Sequence, residues 1–154
     1  LRAELGSAPV DNEGVATADS DLVRAGVLTR YVLDSYSARK LGLATTGNAG
    51  GVHNLEVAGG AGTLEALMRR MGSGFMVTEL LGQGINMVTG DYSRGAVGFW
   101  VEGGVLSHPV HEVTIAGNLR DMYRNIVAVG EDVDRRGSVR SGSILLEEMT
   151  IAGD

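Results

Sequence analysis

The architecture of this chain follows from residues 75–106, which read FMVTELLGQGINMVTGDYSRGAVGFWVEGGVL. The runs Phe75–Leu81, Ile85–Thr89 and Ala96–Glu102 are short, apolar and separated by turns that contain glycine. Gly103-Gly104 then indicates a two-residue hairpin, because both turn positions favour a positive φ. Strands joined by turns this short pair antiparallel, since a parallel return needs a crossover of a dozen or more residues. The stretch therefore predicts a series of antiparallel hairpins.

The residues on either side of this stretch predict further strands. They are Leu22–Val23, Val27–Leu33, Val105–Leu106, His111–Ala116 and Ser143–Ala152. The segment Glu112–Asn118 is echoed by Glu148–Asp154, and we expect the two strands to be neighbours in one sheet. The chain holds 24 glycines, about twice the usual ~7%. Brief apolar runs among so many turns favour a sheet that curls towards a barrel.

Three short helices are predicted from apolar spacing and capping residues. They span Thr63–Gly72, Asn118–Ile126 and Ser35–Gly42, each with a polar cap or a closing glycine. We interpret their apolar stripes as core packing rather than as a cofactor site. The predicted fold class is α+β and mainly antiparallel β, with a curled, barrel-like sheet and two or three short helices. No linker divides the sequence, so we predict a single β-rich domain over residues 1–154.

Composition excludes several classes of function. The formal net charge of -6 argues against nucleic acid as a partner, because phosphate binding needs a positive surface. No apolar run approaches the roughly 20 residues of a membrane span, so we expect no membrane partner. The chain has no Cys, which excludes a disulfide, a thiol nucleophile and a Cys-based zinc site within it. We expect a cytoplasmic location.

Two glycine-containing motifs imitate catalytic or nucleotide sites. The segment from Gly82 begins like a dinucleotide fingerprint, but Met87 stands where the third glycine belongs. Asp91–Gly95 imitates a nucleophile elbow, with Asp91 in place of the first glycine. The segment can still form a turn that exposes Ser93. A hydrolase that pairs Ser93 with a histidine therefore remains an alternative.

The histidines give a weak metal signal. His108 and His111 are three residues apart, a spacing that suits metal ligands on a helix. Pro109 and the surrounding alternation indicate a strand, in which residues three apart point to opposite faces. We favour surface histidines, and a metal site at His108 and His111 stays an alternative.

The segment Thr45–Asn54 combines hydroxyl, amide and imidazole groups with three glycines. Its candidate ligand-binding residues are Thr46, Asn48, Gly50, Gly51, His53 and Asn54. Backbone N–H groups beside glycine can bind a carboxylate. A surface loop with Asn-capped turns is the simpler interpretation. A stand-alone small-ligand-binding β-module centred on Asn48–His53 is the alternative.

Several stretches together resemble the PmbA (TldE) branch of the TldD/PmbA family. They are Asp11–Gly14, Ser35–Gly42, Gly90–Ala96, Gly98–Glu102, Glu112–Leu119, Gly142–Leu146 and Met149–Gly153. The match runs in the same order from about Ser7 to the C-terminus. The resemblance implies a β-rich C-terminal domain, forming the last third of a longer chain that begins with an α/β domain.

The resemblance also implies a function. TldD and TldE members pair to form a protease, and TldD is the zinc-bearing member. A Cys ligand of TldD corresponds roughly to Ser141 here, which is a poor zinc ligand. The resemblance therefore implies a subunit with no catalytic residue and no cofactor in this chain, zinc being expected only in a TldD-like partner. Its substrates would be unfolded peptides and peptide-antibiotic precursors, and the family's older label, modulator of DNA gyrase, would describe an indirect effect.

We expect the sheet edges to help form a peptide-binding chamber with the TldD-like subunit, where an extended peptide is held by strand addition. The candidate peptide-binding residues are Gly82, Gln83, Gly84, Asp91, Tyr92, Ser93 and Arg94. Without its partner the chain should expose apolar edges. A homodimer that uses the partner's surface is therefore expected.

Overall fold

The computed structural model describes residues 4–153. The chain divides into two compact units, Leu1–Glu56 with Arg135–Arg140 and Val57–Asp134 with Ser141–Asp154. In chain order the elements are β1 (Val23–Arg24), β2 (Val27–Leu28), α1 (Ser35–Leu41), β3 (Leu55–Glu56), α2 (Leu64–Met71), β4 (Gly74–Leu81), β5 (Asp91–Glu102), β6 (Val105–Asn118), α3 (Leu119–Arg124), β7 (Ile126–Val129), β8 (Val139–Arg140), β9 (Ile144–Leu146) and β10 (Thr150–Ala152). The single domain over residues 1–154 stays a prediction.

The first unit contains short elements. β1 and β2 form the antiparallel hairpin that the sequence predicts, and β3 pairs with β8 in parallel. Helix α1 begins after Asp34, whose side chain accepts the N–H of Ser37, and ends at Gly42 with a φ of 68°. The helix is confirmed, whereas the predicted strand Val27–Leu33 stops at Leu28.

The second unit is built on a four-stranded sheet with the order β10-β6-β5-β4, in which every pairing is antiparallel. The turn at Gly103-Gly104 is confirmed, with φ values of 58° and 81°. The sequence echo is confirmed as well, because β10 lies beside the end of β6 and pairs Ile151 with Ile115. The smaller sheet of β7 and β9 completes the strands described in this unit.

Two bulges flank Val97 in the central strand β5. On β4, Thr78 is an extra residue between the partners of Gly98 and Val97. On β6, one extra residue lies between the partners of Ala96 and Gly98, where Glu112 has a φ of 59°. Such a left-handed φ is strained for a residue with a side chain. Both neighbours of β5 therefore bend at the same level of the sheet.

The buried cluster on this sheet consists of Tyr92, Ala96 and Ile115. Partly buried apolar side chains pack against it, namely Phe75, Val113, Leu119, Met122 and Met149. The predicted helix starts are confirmed, since the side chains of Thr63 and Asn118 cap α2 and α3. Helix α3 ends at Arg124 rather than at Ile126, because Ile126 begins β7.

Four predicted features are wrong or incomplete. Across residues 4–153 the sheet does not close into a barrel and is not strongly curled, since β4 and β10 end it as separate edges. Ile85–Thr89 is a turn with one isolated bridge rather than a strand. Asp91–Arg94, predicted as a loop, begins β5. The predicted strand Ser143–Ala152 is interrupted between β9 and β10.

Candidate functional site

The second unit contains a cavity of about 410 Å³, which we call the apolar groove. Its walls come from α2, from Ser73–Val77 at the start of β4, and from Ser143–Met149 around β9, with Ile115 and Ile151 completing the lining. This volume lies in the range of about 300–1,000 Å³ that is usual for ligand sites. The apolar groove is therefore large enough to accept several side chains of a bound molecule.

The walls of the apolar groove are rich in methionine. Met68, Met71, Met76 and Met149 line it, which is four of the six methionines in the chain. Their unbranched side chains can change rotamer and fill irregular gaps. Surfaces rich in Met bind partners of varied shape for this reason. The groove is thus suited to apolar side chains of different sizes.

The wall that contains β9 is fixed by Asp132. Its Oδ1 accepts the backbone N–H of Ser143 at 3.0 Å, and its Oδ2 accepts the Ser143 hydroxyl at 2.6 Å. The N–H of Gly130 donates to the carbonyl of Ser143 at 2.8 Å. The hydroxyl of Ser143 lowers the pKa of Asp132, because a hydrogen bond to the charged form favours ionisation. A carboxylate therefore holds this wall in place at neutral pH.

A second cavity of about 280 Å³ adjoins the apolar groove. Both cavities are lined by Glu148 and Met149, in the link between β9 and β10. The remaining walls of the second cavity come from the end of β6, from α3 with Asp121, and from Asn125. The two cavities therefore offer an apolar compartment beside a polar one.

The loop between β4 and β5, residues 82–90, exposes large apolar side chains. Met87 is 81% exposed and Val88 is 95% exposed. Asn86 shapes this loop, because its Oδ1 accepts the N–H groups of Val88 at 2.9 Å and Thr89 at 3.2 Å. The N–H of Gly90 also donates to the Asn86 carbonyl at 2.7 Å. These local bonds replace the strand that the alternating apolar residues predicted.

The base of the 82–90 loop is tied to the start of α3. The Nδ2 of Asn118 donates to the Thr89 carbonyl at 3.0 Å, and the N–H of Leu119 donates to the Gly90 carbonyl at 2.7 Å. The hydroxyl of Thr89 donates to Asp91 Oδ2 at 2.6 Å. The loop is thus a braced turn that holds two apolar side chains in solvent.

The predicted peptide-binding residues fall partly around this loop. Gly82 and Gln83 are exposed, and Gly84 accepts the N–H of Ser93 at 2.7 Å through its carbonyl. The hydrogen bond closes the base of the loop. The structure therefore brings Gly84 and Ser93 together, on neighbouring backbones.

The other three predicted residues have different surroundings. Asp91 accepts the hydrogen bond of Thr89, and the Nη2 of Arg94 donates to the Leu80 carbonyl at 3.1 Å. Tyr92 is only 8% exposed and belongs to the buried cluster. Its ring therefore packs in the core of the second unit. A role of these residues in peptide binding stays a prediction.

Ser93 lies far from the histidines of its own unit. It pairs with Ala116, whereas His108 pairs with Trp100, seven residues further along β5. At about 3.3 Å per residue this separation is roughly 23 Å. His108 Nδ1 lies 3.1 Å from the hydroxyl of Ser107 instead. His111 lies in the bulge opposite Val97, four residues along β5 from Ser93 and so roughly 13 Å away. Ser93 therefore forms no pair with either histidine of this unit.

The described residues also offer no cluster of three or more His, Cys, Asp or Glu side chains that could hold a metal ion. His111 and Glu112 are neighbours at 4.0 Å, and both side chains are exposed. The Ser141 hydroxyl donates to the Gly142 carbonyl at 2.9 Å. These residues do not fit the zinc site that the family resemblance assigns to TldD.

In the first unit, the segment 46–54 is held by structural hydrogen bonds. The Nη2 of Arg30 donates to the Thr46 carbonyl at 2.8 Å and to Asn48 Oδ1 at 2.9 Å. Asn54 Oδ1 accepts the N–H of Gly6 at 3.0 Å. The amide oxygens of Asn48 and Asn54 are thus bonded within the chain.

The remaining candidates in this segment lie close to other backbone and side-chain atoms. Asn48 Nδ2 donates to the Gly51 carbonyl at 3.4 Å. A Cβ on Gly50 would lie 2.3 Å from Asn12 Nδ2. His53 Nε2 is buried and has no hydrogen-bond partner among the described residues. The segment packs tightly, and ligand binding by it stays a prediction.

Asp11 organises the same region. Its Oδ1 accepts the N–H groups of Glu13 and Val15, and its Oδ2 accepts the N–H of Ala49, all at 2.9 Å. The bond from Ala49 is the largest cause of a lowered pKa at Asp11. Asp11 is buried, so the ionised side chain replaces water as the acceptor for three backbone donors.

Sequence reasoning missed the apolar groove. The stripe of α2 was predicted to be core, yet Leu67 alone is buried while Leu64, Met68 and Met71 are half-buried. The available signal was the concentration of Met in that stripe. The opposite wall could not be predicted, because it depends on the break between β9 and β10.

Comparisons with known proteins agree with this architecture. Residues 1–153 match the family described as the PmbA/TldA metallopeptidase C-terminal domain. The chain is 56% identical over 149 residues to the metalloprotease PmbA of Escherichia coli O157:H7, covering 97% of this chain and 33% of that protein. It is 52% identical over 155 residues to the PmbA homolog of Haemophilus influenzae, covering 100% and 34%.

Solved structures show the same similarity. A candidate modulator of a DNA gyrase from Thermotoga maritima superposes with a TM-score of 0.88 at 38% identity, covering 96% of this chain and 36% of that one. TldE from Thermococcus kodakarensis gives a TM-score of 0.81 at 25% identity, covering 95% and 36%. The chain spans about a third of the length of these relatives. Among residues 4–153, no helix is long and apolar enough to cross a membrane. The chain belongs to the PmbA/TldA metallopeptidase family, in which it matches the C-terminal domain.

Proposed function

We propose that this chain is the C-terminal part of a TldE-like subunit in a TldD/TldE-type protease system. In this proposal it binds a TldD-like subunit, helps form the peptide-binding chamber and supplies no catalytic metal. Relatives of the chain are described as metalloproteases, and one solved relative is a TldE. Proteolysis would then require the longer protein together with its partner.

One observation carries the proposal for a subunit interface. Six large apolar residues are exposed within residues 77–88, at the end of β4 and in the loop that follows. They are Val77, Leu80, Leu81, Ile85, Met87 and Val88. Large apolar side chains exposed together along one segment indicate an interaction surface more often than scattered single residues do. We assign this patch to the TldD-like partner and call it the 77–88 patch.

The peptide would bind beside this interface. Unfolded peptides expose apolar side chains and unpaired backbone groups. The apolar groove can take the side chains, and β4 has no second partner strand among the described residues, so its outer edge can add an extended peptide. Unfolded peptides and peptide-antibiotic precursors are the substrates that fit this arrangement.

The test mixes the longer protein that contains this chain with a TldD-type protein and measures both complex formation and peptide hydrolysis, together with the metal content of each component. We expect a complex in sedimentation, hydrolysis in the mixture, and zinc in the partner. Substituting Met87→Ser with Val88→Ser should weaken the complex at least about tenfold, since exposed apolar anchors dominate such interfaces. Stoichiometric metal or peptide hydrolysis in this chain alone would contradict the proposal.

A matched control is available at the other end of the same sheet. Val105 and Leu106 are also exposed, and Val105→Ser with Leu106→Ser removes apolar surface without touching the 77–88 patch. This control should bind the partner like the unchanged chain. If both double variants weaken binding of the TldD-type partner equally, the 77–88 patch is not the specific interface.

Without the partner, we expect the 77–88 patch to associate with a second copy of the chain. Equilibrium sedimentation should then show a concentration-dependent homodimer that the Met87→Ser and Val88→Ser changes weaken. A strict monomer at high concentration would argue against this form of self-association.

A further inference from the structure

The two cavities of the second unit differ in polarity but share a wall. The apolar groove is lined mostly by aliphatic and Met side chains, whereas the second cavity is lined by polar groups such as Asn125 and Thr150. Glu148 and Met149 belong to both. A ligand that fills both cavities must therefore present an apolar group and a polar group close together.

The ionisable side chains that line the two cavities are all acidic. The ionisable side chains that line the two cavities are Asp121, Glu147 and Glu148, and none of the described lining residues is Lys, Arg or His. All three carboxylates belong to exposed residues. A cation placed in the second cavity would gain favourable interactions, and a carboxylate there would be repelled.

We infer that the apolar groove and the second cavity together hold an extended peptide with an apolar side chain next to an arginine or lysine. The apolar side chain packs among Met68, Met76 and Met149. The basic side chain reaches Asp121 and Glu148. This inference rests on the proposed function and names the class of peptide that the chain selects.

The charge also decides against a second copy of the chain as the occupant. The chain carries a formal net charge of -6, so another copy would bring more negative than positive charge to an acidic wall. A small neutral apolar molecule would use the apolar groove and leave the second cavity unused. A peptide with a basic residue satisfies both compartments.

The test measures binding of fluorescein-labelled Gly/Ser decapeptides with a central Leu-Xaa-Leu-Xaa segment, in which Xaa is Arg, Gln or Glu. We expect the Arg peptide to bind about fivefold tighter than the Gln peptide at 50 mM salt, and the Glu peptide to bind weakest. The preference should shrink at 500 mM salt because the carboxylates are exposed. Equal affinities, or no binding of any peptide, would overturn the inference.

Matched variants locate the effect. Asp121→Asn with Glu148→Gln should remove the preference for Arg over Gln. Asp19→Asn with Glu131→Gln changes the net charge equally at exposed residues outside both cavities, and it should keep the preference. If the Asp121 and Glu148 variant keeps the preference for Arg, or the Asp19 and Glu131 variant loses it, the basic side chain is recognised outside the two cavities.

Ile144→Arg tests the apolar compartment. Ile144 is exposed and lines the apolar groove, so the change should block the groove with little effect on the thermal midpoint. Binding of all three peptides should then be lost, whereas unchanged binding would overturn the inference.

The peptide measurement uses this chain without a partner, so its failure is separable from that of the proposed function. Partner-dependent hydrolysis with no preference for Arg would remove the inference and leave the proposed function. A clear preference for Arg in a chain that binds no TldD-type protein would leave the inference and remove the proposed function.

Discussion

The backbones of Gly84 and Ser93 approach so closely that a side chain at position 84 has no room. The N–H of Ser93 donates to the Gly84 carbonyl at 2.7 Å, and a Cβ on Gly84 would lie 1.5 Å from the Ser93 carbonyl oxygen. This contact closes the base of the 82–90 loop. The loop therefore projects Met87 and Val88 from a fixed base.

Replacing Gly84 by Ala should destabilise the chain, because the new methyl group must push two backbones apart. We expect a loss of about 2–3 kcal/mol in the free energy of unfolding, measured by urea denaturation. Gly82→Ala is the control. Gly82 has a φ of 72° but open space around it, so its cost should stay near 1 kcal/mol. Equal losses in the two variants would show that the close approach to Ser93 is not what restricts position 84.

Asn86→Ala should loosen the 82–90 loop without unfolding the sheet. The Asn86 side chain accepts the N–H groups of Val88 and Thr89, and alanine leaves both without that acceptor. We expect hydrogen exchange at these two amides to accelerate about tenfold, with little change in β5. Affinity for a TldD-type partner should fall as well. Unchanged exchange would mean that the loop is held from its base alone.

Substitutions at Tyr92 distinguish a role in the core from a role in peptide binding. It is part of the buried cluster with Ala96 and Ile115, so Tyr92→Ala should cost about 3 kcal/mol of stability. Tyr92→Phe keeps the ring and should leave both stability and peptide affinity nearly unchanged. A Tyr92→Phe variant that is stable but binds peptide poorly would restore the role predicted from the sequence.

Asp11 should make stability depend on pH in the acid range. Its pKa is lowered from 3.8, chiefly by the N–H of Ala49. A carboxyl group whose pKa is lower in the folded state than in the unfolded chain stabilises the fold at pH values above its unfolded pKa. This stabilisation is lost as the pH falls through the folded-state pKa. Asp11→Asn should therefore lower the thermal midpoint at pH 7, and the gap to the unchanged chain should narrow below about pH 4. A gap that widens on acidification would contradict this assignment.

Local signals predicted the elements that depend on local bonds. Thr63, Asn118 and Gly42 mark helix ends in the sequence, and each performs that role through its own side chain or its own φ. The Gly103-Gly104 hairpin follows from the same kind of rule. The pairing of β10 with β6 is a long-range feature, but the repeated Thr-Ile-Ala segment made it visible.

Other features depend on competition between local and distant contacts. Ile85–Thr89 alternates like a strand, yet Asn86 offers its oxygen to two backbone donors and the turn prevails. Asp91–Arg94 carries turn-forming residues, yet pairing with β6 makes it a strand. The apolar groove joins segments about 70 residues apart in sequence, from α2 and β9, so no local pattern could predict it.

The bulges beside Val97 also bear on how chain length can vary in this fold. Each neighbour of β5 has one residue more than β5 at that level, so β5 is the short member of both pairs. Insertion of one residue after Val97 would match the three strands at this level and remove both bulges beside Val97. Deletion of Thr78 would correct one pair only, and Glu112 would keep its strained backbone. Of these length changes, therefore, only an insertion in the middle strand removes both mismatches in a single step.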